Sequence, residues 1–366
     1  MSEIVLTGGP CAGKTTALAV LSQKLSDYGY QVLVCPEVAS LVINAGVAVG
    51  QLAQDPATWL EFQRLVVRTQ GALRERFRAI AGLYDDPVVI LFDRAEMDNA
   101  AYIDPDLFAA LLEDEGTPVA HVRDSYDAVI HLVSAADGAE HAYTTENNAA
   151  RSETPEQARA LDRRTLQAWV GHPHLRIIDN STDFASKVNR TLSAVLQVLG
   201  LPAPLEIERK FLLEAAPAPE ALERDFGARA VEIEQTYLTS DDPAVELRVR
   251  RRSQGAASTY FFTEKRPLSA LARYERERRI TPLEYQRLLV SADPARSRVV
   301  KTRYCFAHDG LYFELDHVRA PRDLWILEVE LTEENAEVRL PDGLVVAREV
   351  TQDRRFTNAE IARVSP

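Results

Sequence analysis

From residue 205 onward the chain repeats one device: charged side chains set two apart inside runs that otherwise read as β-strands. The first case is LEIERKFLL, residues 205–213. Successive side chains of a strand point to opposite faces, so Glu206, Glu208 and Lys210 share one face, and Arg209 sits poorly with Ile207 and Phe211 on the other. The same spacing returns as Arg248 and Arg250 in ELRVRR, Glu275 and Glu277 in YERERRI, and Lys301 and Arg303 in VVKTRY. Glu314 and Asp316 in YFELDHV and Glu328 and Glu330 in WILEVEL follow, with Lys265 in FFTEKR as a further basic residue. One such doublet on a surface strand means little, but repetition on nearly every strand forces a choice. Either all the charges meet water and the opposite faces share an apolar layer, or they point inward and line a closed antiparallel β-barrel with a polar lumen. Burying so many charges is prohibitive without partners. A polyphosphate would partner the basic groups, and divalent cations the acidic ones. The inward alternative gives the expectation for this half: an α+β domain built on a closed antiparallel barrel that serves as a binding tunnel.

The first half has a different texture. EIVLTG, QVLVCPE, PVVILFDR, YDAVIHLV and LRIIDN are short apolar runs of the kind buried in a parallel sheet, and helix-like periodicity fills the segments between them. That alternation predicts an α/β domain over residues 1–200. GLPAPL then ends the last helix, which places a stiff linker at 201–205 and the second domain at 206–366. A length of 366 residues suits two cores better than one. One helix, TPLEYQRLLVSA, interrupts the second-half strands, with Thr281 as its cap and Pro282 in its first turn.

GGPCAGKTT, residues 8–16, carries the first chemistry. Gly8, Gly13, Lys14 and Thr15 fit the pattern G-x-x-x-x-G-K-[ST], with Gly9, Pro10, Cys11 and Ala12 between them and Thr16 after. A strand ending at Thr7 and a helix starting near Lys14 are the context the motif needs. Loop and helix N–H groups face the phosphates, Lys14 adds a point charge, and Thr15 ligates Mg²⁺. Asp93 ends PVVILFDR, where a second carboxylate is needed for the metal or its water. Glu37 ends the second strand and either holds an acceptor hydroxyl or is a solvated loop carboxylate. Arg151, Arg163 and Arg164 follow YTTENNAARSE, which reads as a lid closing on a γ-phosphate or as a solvated face. Asp98 is a further acceptor contact, and His172 and His174 read as loop residues.

The run PEVASL…FDRAEMDN…R resembles the kinase-like branch of P-loop proteins that includes nicotinamide riboside kinase domains. The resemblance covers roughly residues 1–200 and implies a phosphotransferase, with Lys14, Glu37, Asp93 and Arg151 as catalytic residues, or a nucleotide-gated switch. No N-K-x-D signature for guanine is present, so a Ras-like GTPase is not supported.

EIERK, LRVR, TEK, KTRY, ELD and EVE, in that order, are similar to the CYTH, or triphosphate tunnel metalloenzyme, family, and EVTQDRRFTNAEIA resembles its closing D-x-R-Y-x-N segment with Phe356 in place of Tyr. The resemblance implies that Lys210, Arg248, Arg250, Lys265, Lys301 and Arg303 clamp phosphates, with Lys210 also catalytic. Glu206, Glu208, Glu314, Asp316, Glu328 and Glu330, together with Glu275 and Glu277, would hold Mg²⁺ or Mn²⁺, which could activate water.

Three readings follow. The first is a two-site enzyme: a kinase-like domain that uses ATP or GTP on a small hydroxylated acceptor, joined to a metal-dependent hydrolase of a triphosphate or other phosphoanhydride. The second is a nucleotide-controlled protein that captures a polyphosphate or phosphoinositide head group without turnover. The third is a cyclase. The net charge of −13 argues against general nucleic-acid or anionic-membrane binding. No apolar run is long enough to span a bilayer, and the first strand begins within three residues of the N-terminus, leaving no room for a signal peptide. Three widely spaced cysteines suggest a reducing compartment, so the expected location is cytoplasmic.

Overall fold

The computed structural model describes residues 1–140, 143, 154–201, 207–242, 244–267, 273–331 and 338–363. It divides into two compact units, Met1–Val195 and Leu196–Pro366. Arg151, Glu206 and most of the expected linker lie outside the described residues.

In the first unit, β1 (Ser2–Thr7), β2 (Gln31–Cys35), β3 (Val88–Asp93), β4 (Ala128–Leu132) and β5 (Leu175–Ile178) form one sheet in the order β2-β3-β1-β4-β5. All its ladders are parallel. The parallel-sheet reading of this half fits. Ile4, Val5, Leu6, Ile90, Leu91, Val129 and Ile130 are wholly buried, as central strands covered on both faces require. Helix Pro56–Ala81 begins where Asp55 accepts a 2.8 Å hydrogen bond from the Thr58 amide and Pro56 fills the first position. Arg74 and Arg78 of that helix reach Glu3 at 2.8 and 2.6 Å, fastening it to β1. The chain leaves β1 toward β2 on one side and β3 toward β4 on the other, so a topological switch point opens at the carboxyl ends of β1 and β3. The phosphate loop and Asp93 both emerge there.

The second unit is built on nine antiparallel strands: β6 (Ile207–Leu213), β7 (Arg229–Leu238), β8 (Glu246–Gln254), β9 (Ala257–Pro267), β10 (Arg273–Ile280), β11 (Val299–His308), β12 (Leu311–Ala320), β13 (Leu324–Leu331) and β14 (Val346–Glu349). Their order is β10-β9-β8-β7-β11-β12-β13-β6-β14. This corrects the expected closed barrel. Closure needs a ladder between the first and last strands, and among the described residues none joins β10 to β14. Among the described residues β14 pairs only β6, over a short register broken by a shift between Val346 and Arg348.

One face of this open sheet is apolar. Phe211, Phe306, Phe313, Leu315, Leu327 and Val329 pack there, with Leu222 of helix Pro219–Phe226 among them. The other face carries the charged doublets at its centre and ends in Tyr237, Val299, Val318 and Ile326, which pack on Ile361 and Ala362 near the C-terminus. Thr281 caps helix Pro282–Leu288 by accepting from the Glu284 amide at 3.1 Å. Arg209 lies on the face opposite the doublets and binds Glu349 of β14 at 2.8 Å, which explains its place beside Phe211.

Phe313 stacks on Phe306 with centroids 5.7 Å apart, and the same cluster includes Trp325. Replacing Phe313 with Ala is expected to destabilise this unit by about 3–5 kcal/mol. The check is a lower urea midpoint for Trp325 fluorescence in a Trp59→Phe, Trp169→Phe background; an unchanged midpoint would place the core elsewhere.

Candidate functional site

Residues 8–16 form the expected strand-loop-helix turn. Gly8 and Gly13 have φ of 137° and 87°, backbone that L side chains rarely adopt, and helix Lys14–Asp27 starts directly after Gly13. A side chain on Gly8 would meet the Leu132 carbonyl oxygen at 2.0 Å, so glycine is needed there for space as well. Thr15 and Thr16 are exposed in the first helical turn. The Lys14 ammonium folds back over the loop and donates to the Gly8 and Gly9 carbonyls at 3.2 and 3.5 Å. Burial lowers its pKa and Arg94 adds to that, while Asp93, Glu37 and Asp98 oppose the shift.

These charges form one cluster. Burial, and then Glu37, raise the Asp93 carboxyl, with Lys14 opposing. Asp93 Oδ1 is buried and has no hydrogen-bond partner among the described residues. An orphaned carboxylate oxygen at the tip of β3, in the same cluster as the phosphate-loop lysine, fits a divalent cation. Glu37 is half-buried, accepts from Ser40 Oγ at 2.6 Å and pairs with Arg94 Nε at 2.8 Å. Burial would raise Glu37, but Arg94 and Lys14 hold it below the usual range, so it is an ionised acceptor at neutral pH. Asp98 is occupied structurally: it accepts from Thr7 Oγ1, from the Ala95 amide at 2.9 Å and from Trp169 Nε1 at 3.3 Å. Arg163 and Arg164 are exposed, beside a shallow depression with Gln157, Ala160 and Gln167. His172 is wholly buried, with Nδ1 accepting from the His174 amide at 3.0 Å and Nε2 3.2 Å from the Tyr126 carbonyl. Burial pushes its pKa down to about 3, so the neutral ring is a structural connector.

Sequence reasoning missed what braces the loop from beneath. Asp162, buried on helix Pro155–Trp169, accepts from the Gly9 amide at 2.5 Å and the Ser134 amide at 3.3 Å, and lies 3.3 Å from His131 Nε2. Ser134 Oγ donates to the Pro10 carbonyl at 2.5 Å. A Cβ on Gly9 would lie 2.7 Å from the Asp162 Cβ, so this contact requires glycine at the second loop position. The partners are 153 residues apart and carry no local signal.

In the second unit the doublets come together on one sheet face. Arg248 pairs in register with Tyr237 and Thr263, Arg250 with Gln235 and Phe261, Arg303 with Asp316, and Lys210 with Glu328. Lys210 Nζ binds Glu328 at 2.6 Å and Glu208 at 2.9 Å. Arg303 reaches Asp316 at 2.7 Å, Glu328 at 3.0 Å and also Glu314. Lys301 binds Asp316 at 2.5 Å and Asn358 Oδ1 at 3.3 Å, which gives the closing segment of the chain a contact in this array. Arg250 Nη2 binds Glu277 at 2.7 Å across β9, while its Nε is buried without a hydrogen-bond partner among the described residues. Burial lowers the Arg250 pKa against Glu277, and Arg248, Arg252 and Arg303 lower it further. Arg252, only 1% exposed, belongs to the same face and follows from continuing the two-residue spacing past Arg250.

The carboxylates respond in kind. Burial would raise Glu328, but Lys210, Arg303 and Lys301 hold it far below the usual range. Arg303 and Lys301 likewise outweigh burial at Asp316. Burial and the adjacent Glu328 push Glu208 up to about 7, against Lys210. Lys265 is half-buried opposite Glu246, and Glu330 is exposed at the rim. The side chain of Glu275 lies outside the described residues. Among the described residues, no three acidic, histidine or cysteine side chains converge as a ready metal cluster. The reason is visible in the pairing: cations sit between the carboxylates, with Lys210 between Glu208 and Glu328. Cys11, Cys35 and Cys305 form no disulfide among the described residues, and no described helix is long and apolar enough to cross a membrane.

The chain is similar to a protein named inorganic triphosphatase from Nitrosomonas europaea, at 35% identity over 164 residues, covering 44% of this chain and 99% of that protein. A crystal structure of an inorganic triphosphatase is 33% identical, covering 44% of this chain and 97% of that one, with a TM-score of 0.32. A structure from Pyrococcus horikoshii is 25% identical, covering 36% and 80%, with a TM-score of 0.29. The AAA domain family matches residues 3–187, a span that takes in the phosphate loop, Glu37, Asp93 and Asp162. By that match the chain belongs to the AAA domain family.

Proposed function

We propose that the chain is a two-site phosphoanhydride enzyme: the first unit binds ATP or GTP, and the second binds an inorganic triphosphate or similar phosphoanhydride and hydrolyses it with a divalent metal. Family membership and the triphosphatase relative support nucleotide or triphosphate binding or hydrolysis at the coarser level. The finer assignment of the triphosphatase likeness to the second unit, as a CYTH-type domain, is supported by the EIERK, LRVR, KTRY, ELD and EVE motifs, which all lie beyond the residues matched by the AAA family. The observation that carries it is the buried array of Arg248, Arg250, Arg252, Lys301 and Arg303 on one sheet face.

The chemistry follows from exchange of partners. Lys210, Lys301 and Arg303 are paired with Glu208, Glu328, Glu314 and Asp316. A triphosphate offers better acceptors for the same cations, bidentate ones for arginine. The carboxylates it would release, Glu208 and Glu328 among them, would be left crowded without their cation, and would hold Mg²⁺ or Mn²⁺. The metal supplies charge neutralisation of the phosphates and a more acidic bound water. Lys210, Arg250 and Arg303 would hold the phosphates in line and stabilise the departing phosphate charge. In the first unit, Lys14 and the loop amides would hold the nucleotide phosphates, and Thr15 and Asp93 the Mg²⁺. Glu37, ionised and electrostatically linked to Lys14, would hold the hydroxyl of a small acceptor, which is the kinase reading of this unit.

Phosphate release from inorganic triphosphate with Mg²⁺ or Mn²⁺ tests the proposal. Arg303→Lys keeps the charge, so the buried carboxylates stay compensated, but it loses the guanidinium fork. It is expected to lower kcat by about 10²-fold or more, while Lys14→Ala leaves this activity intact and abolishes ATP binding. Equal loss in both variants, or in neither, would sink the two-site assignment.

Metal binding should also carry the signature of Glu208. Its folded pKa is raised to about 7, so this group stabilises the metal-free protein most below the ordinary value of 4.5 and loses that contribution as the pH rises through about 7. A divalent cation needs the ionised form, so Mn²⁺ affinity is expected to rise by up to about tenfold per pH unit below pH 7 and to flatten above it. Titration calorimetry at several pH values checks this, and Glu208→Gln should remove the slope.

A further inference from the structure

Gly8, Gly9, Pro10 and Ala12 of the phosphate loop are buried by the chain around them, and Phe184 stands exposed beside the loop. This residue opens helix Phe184–Val198, and the edge of its ring lies against Gly13. A Cβ built on Gly13 would sit 2.5 Å from Phe184 Cε2 and 3.0 Å from Cζ, so ring and loop are in direct contact. Even so, Phe184 is 48% exposed. Solitary exposed apolar side chains are ordinary on protein surfaces. Phe184 differs because it is held in place at a ligand loop.

The anchoring is specific. Asp183 accepts from the Ser186 amide at 2.9 Å and from Ser186 Oγ at 3.1 Å, closing the first turn behind the ring. Lys187 donates to the Val133 carbonyl at 2.6 Å and to Asn180 Oδ1 at 2.7 Å, which ties the helix start to the end of β4. Arg190 binds Asp179 at 2.6 Å and Thr182 Oγ1 at 2.8 Å, fixing the turn that leads into the helix. The ring is therefore a rigid apolar surface at the rim of the loop, left half open to water. A ligand held there only by its phosphates gives no reason for such a surface. A nucleoside triphosphate does, because its base is a flat aromatic group that must leave the loop on one side.

We propose that Phe184 is the stacking platform for the base of the nucleoside triphosphate whose phosphates lie in residues 8–16. The inference rests on the reading of those residues as a triphosphate loop. Stacking tolerates any base, since each has a π-face. Phe184 thus selects nucleotides over base-free polyphosphates, and by itself does not choose between ATP and GTP. In this respect the first unit would differ from the second, whose buried array offers cations to phosphates.

The test measures binding of ATP, GTP and inorganic triphosphate to the full chain, each with and without Lys14→Ala, so that only the part dependent on Lys14 is compared. Phe184→Ala is expected to weaken that part by about tenfold or more for ATP and GTP, to leave it unchanged for inorganic triphosphate, and to be reversed by Phe184→Trp. An equal loss for all three ligands would mean that the ring only packs the loop, and no loss for any would mean that the base lies elsewhere. Either result overturns the proposal. If Lys14→Ala changes none of the parent affinities, the triphosphate-loop reading itself fails and takes this inference with it.

Discussion

A charge removed from water must be met by another, and that requirement organises both units. In the second unit it forces a lattice: Arg303 touches three carboxylates, Lys210 two, and Lys301 is shared between Asp316 and the amide of Asn358. Breaking one side of such a pair leaves the other uncompensated, at a cost of about 3–5 kcal/mol. On this face Lys210, Lys301 and Arg303 are each met by at least one carboxylate.

In the first unit the requirement acts on a smaller scale. Arg94, buried with its backbone at φ 65°, stands between Glu37 and Asp98 and gathers the acids around Lys14. The lysine itself rests on carbonyl oxygens of its own loop. The loop shape is braced from outside by Asp162 and Ser134.

What could be read from the sequence follows from the range over which each feature acts. The phosphate loop, the strand that ends in Asp93 and the Thr281 cap are written in adjacent residues, and each stands where its local pattern implied. The doublets reported which side chains share a face, because alternation is a property of a single strand. Whether a sheet closes is a property of its two outermost strands, and nothing in their spacing encodes it; the barrel expectation failed there. Asp162 escaped notice for a related reason, since an aspartate in the middle of a helix acquires its role only from Gly9, far away in the chain. Arg252 was legible in principle, one more step along a pattern already recognised. Helix Pro219–Phe226 and the β14 strand had no periodicity long enough to declare them.

An open sheet has two borders whose unpaired peptide groups invite another chain to add a strand and, repeated, to aggregate. At one border β14 is four residues long, irregular in register, and clasped to β6 by Arg209 and Glu349. At the other, Arg278 and Arg279 of β10 stand exposed, so a second copy approaching in register would bring like charges together. The protein guards by brevity at one end and by repulsion at the other what a closed cylinder would have protected by geometry.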